Sequence, residues 1–122
     1  MSPSTSSHPS TGVMVVGAQG RMGLEVRAAL QEASNLHFAG ALERPGHQDV
    51  GQALGAGEGA EDVVLRDDPK AALEGCGLAI DFSVPAATLA NLRAAADAGV
   101  AYVTGTTGFD QAGIREIEHF AL

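Results

Sequence analysis

Short apolar runs, separated by glycine-rich or polar segments, divide this sequence into alternating strands and helices. The first run, Val13-Met14-Val15-Val16, leads directly into a glycine-rich turn. An uninterrupted apolar run of this length is typical of a parallel strand that is buried on both faces. The spacing of apolar residues from Leu24 to Ala33 predicts an amphipathic helix. We expect its inward face to carry Leu24, Ala28, Leu30 and Ala33.

The same pattern predicts four further strands and three further helices. The strands are predicted at Leu36–Glu43, Val63–Leu65, Leu78–Phe82 and Ala101–Thr104. One helix is predicted to begin at Asp68-Pro69, because Asp suits the N-cap and Pro the first helical position, and to end near Gly75. The other two are predicted at Ala86–Ala98, ended by Gly99, and at Gln111–Leu122, begun by Asp110. The glycine-rich segment Gly46–Gly59 is predicted to be a mobile loop with room for one short helical turn.

This alternation of strands and helices predicts an α/β fold. Because crossovers between parallel strands are right-handed, we expect a doubly wound, Rossmann-like parallel sheet with strand order 3-2-1-4-5. Ligands of such sheets bind at the carboxyl ends of the strands. Four segments are predicted to share that edge: the Gly17 turn, Glu43, the turn Asp81-Phe82-Ser83 and the loop Gly105–Gly108.

Composition and charge narrow the possible functions. The chain has 122 residues, enough for one domain, and a formal net charge of −8. This charge argues against a nucleic-acid or anionic-membrane surface. The Ser/Thr/Pro-rich residues 1–11 are predicted to be a disordered tail without a signal peptide, and residues 12–122 to be the folded domain. The single cysteine, Cys76, fits a reducing compartment, so we expect a cytoplasmic protein. The four histidines lack the paired spacing of metal ligands.

The glycine-rich turn has the composition of a dinucleotide-binding turn. Its spacing is G-x-x-G-x-x-G, formed by Gly17, Gly20 and Gly23. We expect Gly17 to permit a tight turn, Gly20 to let the backbone approach a pyrophosphate, and Gly23 to let the helix pack closely on the strand. The helix N-terminus behind the turn favours an anion. Arg21 adds a positive charge beside it.

An acidic residue ends the second predicted strand. Glu43 follows the last glycine of the turn by about 20 residues, the position at which a carboxylate reaches the adenosine ribose in this architecture. Arg44 follows directly, and a guanidinium there suits adenine stacking or a 2′-phosphate. The pair is therefore compatible with either NADH or NADPH.

Three motifs in this order resemble the amino-terminal domain of dihydrodipicolinate reductase, also called 4-hydroxy-tetrahydrodipicolinate reductase. They are Gly17-Ala18-Gln19-Gly20-Arg21-Met22-Gly23, then Asp81-Phe82-Ser83-x-Pro85, then Gly105-Thr106-Thr107-Gly108-Phe109. The resemblance extends from about Gly12 to the end of the chain. It implies the reduction by NADH or NADPH of 4-hydroxy-tetrahydrodipicolinate to tetrahydrodipicolinate, a step of the diaminopimelate route to lysine.

The resemblance also implies which residues bind the cofactor. Gly17, Ala18, Gln19, Gly20, Arg21 and Met22 would hold the pyrophosphate. Glu43 would bind the adenosine ribose and Arg44 the 2′-phosphate of NADP. Gly105, Thr106 and Thr107 would line the nicotinamide, with Thr107 also near the substrate and Ser83 as a further contact.

The sequence departs from the family in one respect. The paired-histidine motif with its lysine, and the S-G-T segment, both characteristic of the family's second domain, are not found in it. That domain makes most of the homotetramer contact in the family. We therefore expect this chain to be the cofactor-binding part, to bind dinucleotide, and to have little or no reductase activity alone, with no residue assigned to catalysis.

Two other interpretations remain open. Another NAD(P)-dependent enzyme, such as an aspartate or sugar dehydrogenase, would share the glycine turn and the acidic strand end but not the loop at Gly105. A non-catalytic nucleotide sensor or CoA-binding module would account for the missing catalytic residues. A CoA-binding module, however, has no need of an acidic residue such as Glu43 at the ribose position.

Overall fold

The computed structural model describes residues 10–54, 63–83 and 85–105 as a single parallel sheet with helices on both faces. In chain order the elements are β1 Thr11–Val16, α1 Arg21–Glu32, β2 Leu36–Leu42, β3 Leu65–Arg66, α2 Pro69–Leu73, β4 Leu78–Asp81, α3 Pro85–Ala98 and β5 Ala101–Thr104. The strand order is β3-β2-β1-β4-β5 and every pairing in the sheet is parallel. The predicted Rossmann-like α/β fold and its strand order are confirmed.

The central strand β1 is buried on both faces, as its apolar run predicted. Val13 and Val15 point into one core with Leu30 of α1 and Phe38 of β2. Met14 and Val16 point into a second core with Ala72 and Leu73 of α2, against which Ala94 of α3 also packs. Alternate residues of one strand therefore hold α1 on one side of the sheet and α2 and α3 on the other.

The inward face of α1 differs from the predicted one. Leu30 is buried as predicted, and Ala33 is half-buried as the C-cap that follows α1. Leu24, however, is 50% exposed and Ala28 is also exposed. Gly23 is buried in their place, and Val26 packs against the core. The predicted face rests on the spacing of apolar residues alone. The close approach of Gly23 to the turn at Gly17 sets the rotation of the helix instead, and it turns Leu24 outward.

The third strand is shorter than predicted and lies later in the sequence. Val63 and Val64 precede β3, and Val64 forms an isolated antiparallel bridge with Ala53. The backbone amide of Leu54 donates to the carbonyl of Val63, and the backbone amide of Leu65 donates to the carbonyl of Gln52. The backbone of Val63 and Val64 is thus engaged by the preceding segment, so only Leu65–Arg66 joins the sheet. Residues 46–54 form successive turns without a helix, and the rest of the predicted loop lies outside the described residues.

The other boundaries agree closely with the sequence pattern. Asp68 caps α2, accepting a hydrogen bond from the Lys70 amide at 3.3 Å, with Pro69 in the first turn. Gly99 follows α3 with a φ of 72°, a left-handed conformation that suits a helix end. β4 ends at Asp81, one residue earlier than predicted. β1 begins at Thr11, two residues before the predicted strand and within the segment predicted to be a disordered tail, and α1 begins at Arg21, three residues before the predicted helix. The predicted helix Gln111–Leu122 lies outside the described residues.

Candidate functional site

The turn between β1 and α1 brings backbone amides to the carboxyl edge of the sheet. Gly17 has a φ of 76°, and its amide donates to the carbonyl of Leu42 at 2.8 Å. The Gly20 amide closes the turn on the carbonyl of Gly17 at 3.0 Å. Gly20 is the N-cap of α1 and gives no side-chain cap to the first helical turn. The amides at the start of α1 are therefore free of a capping side chain and lie beside a concave surface.

That surface is a cleft of about 660 Å³ at the carboxyl ends of β1, β2, β3 and β4. Residues of the first turn of α1 form one wall, the segment after β2 forms a second, and α3 with the turn before it forms a third. Its lining residues are Val16, Gly17, Gly20, Arg21, Met22, Gly23, Leu42, Glu43, Arg44, Pro45, Asp67, Pro69, Phe82, Ser83, Ala87, Ala90 and Asn91.

Glu43 reaches across the cleft edge to the glycine-rich turn. Its backbone amide donates to the carbonyl of Arg66 at 2.9 Å, which ties it to β3. Its carboxylate oxygen Oε2 accepts a hydrogen bond from the amide of Gln19 at 3.0 Å. Arg44, the next residue, is exposed and lines the same cleft. A hydrogen-bond acceptor and a cation thus stand side by side at the end of β2.

Gln19 does not line the cleft; its side chain lies in a polar network behind the turn. Its Oε1 accepts from Arg27 at 2.7 Å and its Nε2 donates to Asp49 at 2.9 Å. Arg27 also donates to the carbonyl of Ala18 at 3.0 Å and stacks over the ring of Phe38 at 5.3 Å. Burial lowers the pKa of Arg27, because desolvation disfavours the charged guanidinium.

A second polar network lies at the end of β4. Asp81 is fully buried and accepts hydrogen bonds from the Ser83 amide at 2.7 Å, from the Thr88 hydroxyl at 2.7 Å and from the Tyr102 hydroxyl. The pKa of Tyr102 is raised, first by burial and then by its hydrogen bond to Asp81. The Gly105 amide donates to the Asp81 carbonyl at 2.9 Å. This network fixes the turn that carries Ser83 and the end of β5.

The residues predicted to bind a cofactor are distributed unevenly around the cleft. Gly17, Gly20, Arg21, Met22, Glu43 and Arg44 line it, as does Ser83. Ala18 is 0% exposed and packs in the core, so its side chain faces away. Gln19 and Gly105 lie beside the cleft without lining it, and Thr106 and Thr107 lie outside the described residues.

Sequence reasoning missed several lining residues. Pro45, Asp67 and Pro69 close the side of the cleft next to β3, while Ala87, Ala90 and Asn91 supply the α3 wall. Asp67 and Pro69 directly follow a strand at the ligand-binding edge, and this position is the signal that would have identified them. The α3 residues have no such signal, because mostly small apolar residues on a helix also suit a core.

The described residues contain no group of three or more His, Cys, Asp or Glu side chains arranged to hold a metal ion. Among the helices in the described part of the chain, none has the length and apolar character needed to cross a bilayer.

The sequence of this chain matches a known protein family. The family model described as "Dihydrodipicolinate reductase, N-terminus" matches residues 11–122. A curated 4-hydroxy-tetrahydrodipicolinate reductase of Citrifermentans bemidjiense is 46% identical over 99 residues, covering 80% of this chain and 37% of the relative. The enzyme of that name from Ruegeria sp. is 39% identical over 109 residues, covering 88% of this chain and 40% of the relative. The chain therefore spans about two fifths of the length of these relatives.

Solved structures share the fold. A dipicolinate-bound dihydrodipicolinate reductase from Paenisporosarcina sp. TG-14 superposes with a TM-score of 0.70 at 19% identity, covering 92% of this chain and 43% of that chain. An aspartate semialdehyde dehydrogenase with NADP from Candida albicans superposes with a TM-score of 0.66 at 15% identity, covering 80% of this chain and 30% of that chain. At these identities the likeness concerns the fold alone.

Proposed function

The chain belongs to the dihydrodipicolinate reductase family, and on that premise we propose that it forms the dinucleotide-binding part of a 4-hydroxy-tetrahydrodipicolinate reductase. The reaction would reduce 4-hydroxy-tetrahydrodipicolinate to tetrahydrodipicolinate with NADH or NADPH, in the cytoplasmic route to diaminopimelate and lysine. The family match, which covers the described elements from β1 to β5, favours this reaction over that of another NAD(P)-dependent dehydrogenase or a non-catalytic nucleotide module.

The cleft at the carboxyl edge of the sheet is the observation that carries the proposal. It combines the uncapped start of α1 with the acceptor Glu43 and the cation Arg44. A pyrophosphate needs amide donors and a positive helix end, which the turn at Gly20 and the first turn of α1 supply. Arg21 lines the same wall and adds charge. We infer that the pyrophosphate lies against this wall.

We propose that the adenosine half lies on the β2 side of the cleft. Glu43 presents a carboxylate at the end of its strand, where ribose hydroxyls are bound in this architecture. Arg44 is free to approach a 2′-phosphate because its side chain is exposed at the cleft rim. The apolar faces of Pro45 and Pro69 offer a surface for a flat base.

The nicotinamide is proposed to lie toward β4 and β5. A nicotinamide dinucleotide supplies a hydride when it is bound. The carboxylate of Asp81 holds the turn that carries Ser83, and the backbone carbonyl of Asp81 holds Gly105. This end of the site is therefore fixed before any ligand enters. The family resemblance adds Thr106 and Thr107 as the nicotinamide contacts.

A polypeptide of these 122 residues is proposed to bind the cofactor without reducing the substrate. The paired-histidine motif that the family uses beyond its cofactor domain is not among its residues. Homotetramer contacts in the family lie mainly in that second domain. We therefore expect binding to be measurable on the chain by itself and turnover to require the complete enzyme.

Calorimetric titration of the chain with NADH and with NADPH tests the proposal. We expect saturable binding by the parent and its loss in Gly20→Asp, because a carboxylate at Gly20 faces the pyrophosphate wall. Ser34→Asp is the matched control, since it adds the same charge at an exposed position beyond the far end of α1. A folded parent that binds neither dinucleotide overturns the proposed function.

A further inference from the structure

We propose that the side chain of Gln19 is a positioning residue that sets the orientation of Glu43 and thereby favours NADH over NADPH. The inference rests on the proposed function, because it concerns the adenosine end of the same site. The family resemblance implies that the segment Gly17–Met22, which includes Gln19, holds the pyrophosphate. The side chain of Gln19 does not line the cleft, and both of its polar atoms form hydrogen bonds within the protein.

Both polar atoms of the Gln19 amide are used. Oε1 accepts from Arg27 of α1 at 2.7 Å, and Nε2 donates to Asp49 in the segment after β2 at 2.9 Å. These contacts pin residue 19 between two elements. Its backbone amide is left to donate to Oε2 of Glu43 at 3.0 Å. The orientation of the Glu43 carboxylate is therefore determined by a residue that does not itself line the cleft.

The anchor of this network is rigid. Arg27 donates a second hydrogen bond to the carbonyl of Ala18, one residue before Gln19. Its guanidinium also lies over the ring of Phe38, a buried core residue. A guanidinium held by two acceptors and an aromatic face has few alternative positions. The Gln19 side chain thus connects a fixed point of the core to the loop that carries Asp49.

A fixed Glu43 has opposite consequences for the two cofactors. One carboxylate oxygen accepts from Gln19, which leaves the other to accept from ribose hydroxyls of NADH without first ordering the side chain. The 2′-phosphate of NADPH brings negative charge to the same position, and a restrained carboxylate cannot turn away from it. Arg44 offsets part of this repulsion only from the exposed rim. Releasing Glu43 should therefore weaken NADH binding and spare NADPH binding.

The test compares NADH and NADPH affinities, by calorimetry, for the parent chain and four variants. Gln19→Ala and Asp49→Ala each break the Gln19–Asp49 contact, and their combination completes a double-mutant cycle. Gln48→Ala is the matched control, because Gln48 is an exposed glutamine that neighbours Asp49. We expect each single variant to lower the NADH-to-NADPH affinity ratio by about tenfold, the double variant to lower it no further, and the control to leave it unchanged.

The outcomes separate this inference from the proposed function. If the parent binds neither dinucleotide, both fail together. If the parent binds and Gln19→Ala weakens both cofactors equally while Asp49→Ala changes neither, Gln19 contacts the cofactor directly and only this inference is overturned. Thermal melting of each variant identifies any that fail to fold. If Gln19→Ala does not fold, Asp49→Ala decides alone. An unchanged NADH-to-NADPH affinity ratio in Asp49→Ala also overturns the inference.

Discussion

At the scale of single residues, Gly23 shows how a missing side chain sets the geometry of the site. A Cβ at this position would lie 2.0 Å from the Gly17 carbonyl oxygen and 2.9 Å from backbone atoms of Ala18. Helix propensity alone would make alanine the better residue by about 1 kcal/mol. We expect Gly23→Ala to destabilise the chain by about 3 kcal/mol instead, because backbone must move to admit the methyl group.

Urea denaturation of Gly23→Ala measures this effect. The exposed position Ala28 of α1 provides the comparison, since Ala28→Gly should cost only the propensity difference of about 1 kcal/mol. An increase in stability for Gly23→Ala would contradict the close contact of α1 with the turn.

Cys76 gives the stability of the fold a dependence on alkaline pH. Burial raises the pKa of its thiol from 9.0 to about 11, because desolvation disfavours the thiolate. The unfolded chain releases this proton near pH 9 while the folded chain retains it. The stabilisation is thus complete below pH 9 and is lost as the pH rises toward 11.

Denaturation curves at pH 7.5 and at pH 9.5 to 10 test whether the free energy of unfolding falls as the pH rises. We expect the parent to lose stability over this interval and Cys76→Ala to lose less of it. Alkylation at pH 8 gives an independent measure, since the thiolate fraction, and with it the reaction rate, should be about a hundredfold lower in the folded chain than in the unfolded chain. Equal reaction rates would show that the thiol is not protected.

At the scale of elements, Asp81 joins β4, α3 and β5 beside the proposed nicotinamide end of the cleft. Its buried carboxylate accepts from the hydroxyls of Thr88 and Tyr102. We expect Thr88→Val to cost about 2 kcal/mol in the free energy of unfolding, because the buried side chain of Asp81 loses a hydrogen-bond donor. Thr88→Ser keeps the hydroxyl and should cost clearly less. Similar losses for both variants in urea denaturation would mean that packing, and not this hydrogen bond, dominates.

The elements also show what the sequence could and could not predict. The strand order followed from the alternation of strands and helices, because the handedness of crossovers leaves few topologies. The position of Glu43 followed from its place at a strand end. The face of α1 did not follow, since the contact of Gly23 with the turn is a tertiary contact that overrides the apolar pattern. The third strand was misplaced because Val64 pairs with Ala53 outside the sheet.

Tertiary contacts limited the prediction of the candidate site in the same way. Sequence spacing correctly predicted that the turn, Glu43 and Ser83 lie at one edge of the sheet, because the carboxyl ends of all the parallel strands meet there. It could not predict that Gln19 would turn from the cleft toward Arg27 and Asp49. That arrangement depends on residues separated along the chain, and no local pattern encodes it.

At the scale of the whole molecule, the net charge of −8 acts against an anionic cofactor while Arg44 acts locally for it. Salt screens interactions between exposed charges that lie more than about 10 Å apart at 0.1 M and more than about 3 Å apart at 1 M. For NADH, salt screens both the long-range repulsion by the net charge and the local attraction by the cation in the cleft. We therefore expect the affinity for NADH to change little between about 50 and about 500 mM salt. NADPH binding is proposed to use an exposed ion pair with Arg44 in addition, and we expect salt to weaken that contribution by about fivefold.

Fluorescence titrations of both reduced cofactors across this salt range test whether NADPH binding depends on salt more than NADH binding does. Arg44→Ala should reduce the salt dependence of NADPH binding to that of NADH, because it removes the proposed partner of the 2′-phosphate. Arg66→Ala removes the same charge from an exposed arginine that does not line the cleft, and should leave the difference between the cofactors intact. If the parent responds to salt identically with both cofactors, Arg44 does not bind the 2′-phosphate, and the repulsion of the whole chain governs its encounter with either dinucleotide.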